Sequence, residues 1–218
     1  LMSRSGLLPE ADFYFPVPHD PLRIATPESI QREIDAGADG LLDRVFALMA
    51  LEIRQADPDW SDCIALAEQD ADTFATAYFA NRVERNPFRW AQRNLQEVER
   101  NKRDRYTVPW RYALLRLHEV VEDIAPHLHD RDRERFNAGL RRVFVDNYAA
   151  VPPESIRRVL ALRAAGVIDV LKLGTDYQMD VGDQRTVIST SDEAHRFQVI
   201  IDARGQKPLD LTDLPFPR

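Results

Sequence analysis

The sequence predicts a mainly helical α+β protein, a bundle of about seven helices followed by a short antiparallel β-meander. Three observations carry this. Apolar residues recur at helical spacing through residues 26–166, and helix-start signals of the cap-then-proline kind recur with them. Beyond Gly166 the pattern changes to short β-branched runs separated by turn residues. No two of the eight glycines stand as G-x-G, so the alternating strand-helix pattern of a dinucleotide fold has no phosphate turn to start from.

Residues 1–25 read as an irregular segment, because Pro9, Pro16, Pro18 and Pro21 are too dense for a helix or a central strand. Leu1-Met2-Ser3-Arg4 has the look of a strand end. Thr26-Pro27-Glu28 then supplies an N-cap, a proline at the first helical position and an acid in the first turn. Asp57-Pro58-Asp59 and Asn86-Pro87 repeat that signal. Leu41, Leu42, Val45, Phe46, Leu48 and Met49 mark one helix, and Phe74, Ala77, Tyr78 and Ala80 another. Trp90, Leu95 and Val98 follow Asn86-Pro87. Val108-Pro109-Trp110 opens a helix carrying Leu114, Leu117, Val120, Val121 and Ile124. Phe136, Leu140, Val143, Phe144 and Tyr148 mark the next, and the last runs from Pro153 to Ala165 with Gly166 as its left-handed stop. Residues 167–205 hold four expected strands, at 167–173, 177–181, 185–190 and 197–201, and residues 206–218 form a proline-rich tail.

The chain has 218 residues, is 44% hydrophobic and 30% charged, and carries a net charge of -7, which predicts a soluble protein with a real core. No run of about 18 apolar residues predicts a membrane helix, and no signal peptide is visible at the start. The single cysteine, Cys63, excludes an internal disulfide, fits the cytoplasm and reads as a buried small hydrophobe. From Arg82 to Arg116 there are ten Lys/Arg against four acids, a local +6 that leaves -13 on the remainder. Such a stripe on an acidic chain suggests a local anionic partner rather than nucleic acid, whose binding the pI of about 5.3 disfavours.

Within the stripe, Arg100, Lys102, Arg103, Arg105, Tyr106, Trp110, Arg111 and Tyr112 form a basic-aromatic cluster at a helix junction. Arg105, Trp110, Arg111 and Tyr112 are its candidate substrate-binding residues. The plainer alternative is a solvated helix face, with Trp110 and Tyr112 in the core. His127-Leu128-His129-Asp130 lacks the further ligands a metal needs, so no metal site is expected, and His118 and His195 read as structural or surface residues. Ser3, Ser5 and Ser155 lack a nucleophile-elbow setting, and no catalytic residue is assignable. Asp146-Asn147-Tyr148, just before Val151-Pro152-Pro153, reads as a helix cap and turn.

Long strings of mixed residues carry a resemblance. They include Asn94-Leu95-Gln96-Glu97-Val98-Glu99-Arg100-Asn101-Lys102, and fall at residues 3–13, 40–46, 94–102, 107–112, 145–150, 154–158 and 201–206. The chain resembles the YdhS-like bacterial FAD/NAD(P)-binding proteins along essentially its whole length. That resemblance implies a longer flavoprotein with two dinucleotide-binding domains, distantly similar to flavin-dependent monooxygenases. It implies that this chain is a helical insertion plus linking sheet, with FAD and NAD(P)H bound elsewhere in the parent and neither bound by this piece alone. Residues 1–25 would leave the NAD(P)-binding domain, and residues 206–218 would lead to the FAD domain.

The implied partners are those domains of the same chain and a small-molecule substrate, with no nucleic acid and no membrane. In related monooxygenases an Arg-Ser/Thr pair grips the 2′-phosphate of NADPH, so Arg4 and Ser5 are the implied phosphate clamp. Ala203-Arg204-Gly205 stands where relatives carry Ala-Thr-Gly, placing Arg204 and Gly205 near the FAD domain, although Arg204 departs from that pattern. The parent is then expected to be an oxidoreductase or monooxygenase, with this piece inactive alone and acting as substrate shield and domain linker. The competing expectation is a non-enzymatic module that binds an acidic partner through the Arg82–Arg116 stripe.

Overall fold

The computed structural model describes residues 22–83, 85–148, 151–173, 176–191, 193–201 and 203. The chain divides into two compact units, one ending at Ile168 and the other starting at Asp169. The first is helical and the second is a small sheet, so the expected α+β class is observed. No described helix is long and apolar enough to cross a membrane.

The local start signals fold as read. Thr26 caps α1 (Pro27–Asp35) by accepting from the Ser29 amide at 3.2 Å. Asp57 caps α3 (Pro58–Cys63) through the Trp60 amide at 3.1 Å. Asn86 caps α5 (Pro87–Asp104) through the Phe88 and Arg89 amides. In each, a side-chain oxygen satisfies amides that the first helical turn leaves without a carbonyl. Gly166, at φ +72°, ends α9 (Pro153–Ala164), and Val167 N–H returns to the Leu162 carbonyl.

Two helices build the centre. α2 (Leu41–Ala56) buries Leu41, Leu42, Val45, Phe46, Met49 and Ile53, and α6 (Pro109–Ile124) buries Leu114, Leu117, Val120 and Ile124. α4 (Phe74–Val83) adds Phe74 and Tyr78 to the same cluster. Each fully buried side chain of this size contributes about 1.5–3 kcal/mol of hydrophobic stabilisation. α5 and α9 pack on each other but bury no residue fully.

Several expectations are corrected. The single helix expected from Phe136 to Tyr148 is two, α7 (Asp130–Ala138) and α8 (Leu140–Tyr148), broken at Gly139. The backbone there leaves helical geometry, and a Cβ on Gly139 would sit 3.6 Å from that of Ala75, so this corner packs closely on α4. Cys63 is exposed rather than buried, because α3 turns Ser61 inward instead.

In the second unit, β1 (Gln178–Val181), β2 (Thr186–Ser189) and β3 (Ala194–Phe197) form an antiparallel meander in sequence order. The run at 167–173 forms no strand, and Val167, Val170 and Leu171 are exposed. The last strand lies earlier than expected and includes His195. The turn closed by Thr190 N–H to the Glu193 carbonyl at 2.8 Å sets the register, and Phe197 already faces Thr186, the first residue of β2. Residues 198–201 therefore have no ladder partner on β2.

Candidate functional site

Four helices converge on a polar cavity of about 170 Å³, lined by Tyr78 and Arg82 (α4), Asn94 (α5), Arg111 (α6), and Asp146 and Asn147 (α8). Asp146 is the anchor. It accepts from the Tyr78 hydroxyl at 2.9 Å, and both its oxygens take Arg82 Nη1 at 2.7 Å. The Arg82 guanidinium also lies 4.8 Å from the centre of the Tyr78 ring, 5.3 Å from Phe79 and 5.7 Å from Trp90. An arginine gripped by a carboxylate and rings is held in one orientation.

Arg111 is held by its surroundings, yet its guanidinium has no hydrogen-bond acceptor among the described residues. Asn147 Nδ2 donates to the Arg111 carbonyl at 3.0 Å, and the guanidinium lies 5.1 Å from the centre of the Trp110 ring. Trp110 is itself stacked on Trp60 at 4.3 Å, nearly parallel. The nearest acid to Arg111, Glu97, stands 3.9 Å away, beyond hydrogen-bond distance.

Burial pushes the Tyr78 phenol up to about 12, with the Asp146 charge adding to the effect and Arg82 opposing it. Burial is the largest single influence on Arg82 and works against its charge, but the bond to Asp146 together with the attraction of Tyr78 and Asp146 outweighs it and holds the guanidinium above its ordinary value. The fold thus favours the neutral phenol. Its contribution is complete below the ordinary value of 10.0 and is lost as the pH rises to about 12. Urea midpoints measured across that window should fall for the wild type and fall less for Tyr78→Phe. Identical profiles would show that the phenol is not coupled to folding.

The sequence-expected residues fare unequally. Arg4, Ser5, Arg204 and Gly205 lie outside the described residues. Of the cluster Arg105, Trp110, Arg111 and Tyr112, Arg111 alone lines the cavity. Trp110 is buried behind it, Tyr112 is half-buried on α6, and Arg105 is exposed at the left-handed end of α5. Asp146 and Asn147 are not the cap expected of them, because they bond across 68 and 36 residues to other helices. Tyr148 meets the His118 ring edge-on at 4.8 Å. The i, i+4 pair Tyr78 and Arg82, at the end of an apolar helix, was the available signal for this site.

His127 and His129 are exposed, and among the described residues no three His, Cys, Asp or Glu gather as a metal site would require. A wider cleft of about 480 Å³ runs along α4 and the α7–α8 corner. There Arg135 bonds Asp43, Asp72 and Asp132, and Arg142 lies over the Phe79 ring. The smaller cavity is the better candidate because its lining is polar throughout, whereas Ala75, Phe79, Ala80, Ala138 and Gly139 make up much of the wider cleft.

Residues 26–148 match the model of the YdhS-like middle domain, and the chain belongs to that family. It is 59% identical over 217 residues to the uncharacterized protein YdhS of Escherichia coli (strain K12), a match covering 100% of this chain and 41% of that protein. The chain therefore spans about two fifths of that relative's length. No solved structure matches.

Proposed function

We propose that this chain is the helical middle part of a longer FAD- and NAD(P)H-dependent oxidoreductase of monooxygenase-like type, where it shields the substrate and links the dinucleotide domains. The observation that supports this reading is the match of residues 26–148 to the YdhS-like middle domain, in a chain that spans 41% of its relative and has no glycine turn for a nucleotide. At about 170 Å³ the cavity is smaller than the roughly 300–1,000 Å³ that drug-sized ligands occupy, so neither dinucleotide fits it. In this reading both cofactors sit in the remainder of the longer protein, and no step of the chemistry runs through the residues described above. When bound there, the cofactors supply hydride transfer, and this part supplies orientation and water exclusion. The rest of the longer protein would also cover Val98 on α5 and Val159 and Leu162 on α9, which stay exposed.

The competing reading, an acidic-partner module using the Arg82–Arg116 stripe, is less favoured. Arg82, Arg103 and Arg116 are already paired with Asp146, Asp104 and Glu119.

Steady-state assays of the longer protein should show NADPH consumption. In the proposed clamp, Arg4→Ala should weaken NADPH by about tenfold or more, from a charge-assisted bond worth roughly 1.5–3 kcal/mol, and should leave NADH nearly unchanged. Equal effects on both would defeat the clamp. No turnover, with salt-sensitive polyanion binding as the sole activity, would defeat the oxidoreductase reading.

A further inference from the structure

We propose that the polar cavity between α4, α5, α6 and α8 binds one compact oxyanionic group, a carboxylate or a phosphate, through Arg111 and Asn94, with Arg82 as a fixed positive wall. This deepens the reading above by naming the class of ligand, and it rests on that reading only for the ligand's place in catalysis.

The chemistry of the lining selects an anion. Its one carboxylate, Asp146, already receives Arg82 and the Tyr78 hydroxyl, so it has little left to offer a cation. The groups that lack a hydrogen-bond partner among the described residues are donors. Neither the Arg111 guanidinium nor the Asn94 amide makes a side-chain hydrogen bond among the described residues, and Arg82 uses Nη1 alone. A guanidinium offers a planar fork that matches two oxygens of a carboxylate or phosphate. Size sets the limit on the ligand. At about 30 Å³ per water, 170 Å³ holds on the order of five waters, which suits one headgroup rather than a whole substrate.

Access and preorganisation agree with this. The Arg111 and Asp146 side chains remain 36% and 33% exposed, so the rim is open to solvent. The stack of Arg111 on Trp110, and of Trp110 on Trp60, sets the fork before any ligand arrives. Glu97 is the competitor. At 3.9 Å, with its side chain a third exposed, it is an ion-pair partner of the kind worth about 0–1 kcal/mol, and an oxyanion at hydrogen-bond distance displaces it.

The full 218-residue chain can be titrated with inorganic phosphate and, separately, with acetate at constant ionic strength, read by tryptophan fluorescence and calorimetry. Saturable binding of at least one anion is expected, and the tighter of the two names the group. Arg111→Leu should weaken it at least tenfold. Glu97→Gln, which removes the competitor, should strengthen it several-fold. Arg93→Leu, exposed on α5 and absent from the lining, should leave it unchanged. No saturable binding of either anion, equal affinities in wild type and Arg111→Leu, or weaker binding in Glu97→Gln would overturn the proposal. Anion binding in a protein that holds no flavin would leave this site standing and remove only the oxidoreductase reading.

Discussion

Glu52→Ala should lower the unfolding free energy by about 3 kcal/mol, a large share of the 5–15 kcal/mol that a domain usually has. Glu52 is buried on α2, and its carboxylate accepts three consecutive backbone amides: Arg23 at 3.1 Å, Ile24 at 2.6 Å and Ala25 at 3.0 Å. These amides precede α1, and Ala25 is itself fully buried. Alanine would leave them without acceptors at roughly 1–3 kcal/mol each, softened by whatever water enters. Glu52→Gln keeps one oxygen and should cost about half as much. Arg54→Ala, exposed two residues further along α2, should change stability by less than about 0.5 kcal/mol. Urea unfolding measures all three. A cost below about 1 kcal/mol for Glu52→Ala would mean that the segment before α1 is held by other contacts.

The second large effect is expected at Arg135. Its guanidinium bonds Asp43 of α2 at 2.7 Å, Asp72 of the turn before α4 at 2.9 Å, and Asp132 of its own helix at 2.9 Å. Asp43 and Asp72 are half-exposed, so their pairs are worth little singly. Asp132 is buried, and its other neighbour is the Leu42 amide at 3.5 Å. Arg135→Met should therefore cost about 3 kcal/mol, most of it from stranding the Asp132 charge. Asp132→Asn placed on top should recover at least about 1 kcal/mol, because the stranded charge is gone. Strict additivity of the two substitutions would show that the pair is not coupled and that the cost of Arg135→Met does not come from a stranded Asp132 charge.

These two residues mark where reading the sequence ran short. Helix starts at Thr26, Asp57 and Asn86 were legible because a cap and a proline act within four residues. α7 was not legible, because Asp130–Ala138 offers Phe136 as its one large apolar residue and is fastened by Asp132 and Arg135 instead. The β-branched run at 167–173 read as a strand on composition, but a strand needs a neighbour to pair with, and no described strand pairs with it.

The candidate site was legible in part for the same reason. Arg111 stood out within the basic-aromatic cluster, whereas Asp146 reaches Tyr78 and Arg82 across 68 and 64 residues. Spacing along the chain reports contacts within a helix, and this cavity is made between helices. Trp110 and Tyr112 carried the alternative reading of core aromatics. Trp110 is buried, yet it also presents its ring to Arg111, so its packing and its service to the cavity are compatible.

In the proposed function this chain is the helical partner of flavin and nicotinamide domains. The most direct measurement is the visible absorption spectrum of the longer protein as purified, followed by anaerobic addition of NADPH. A bound flavin band that bleaches on NADPH is the predicted result. A colourless protein that takes up no FAD on reconstitution would contradict the account.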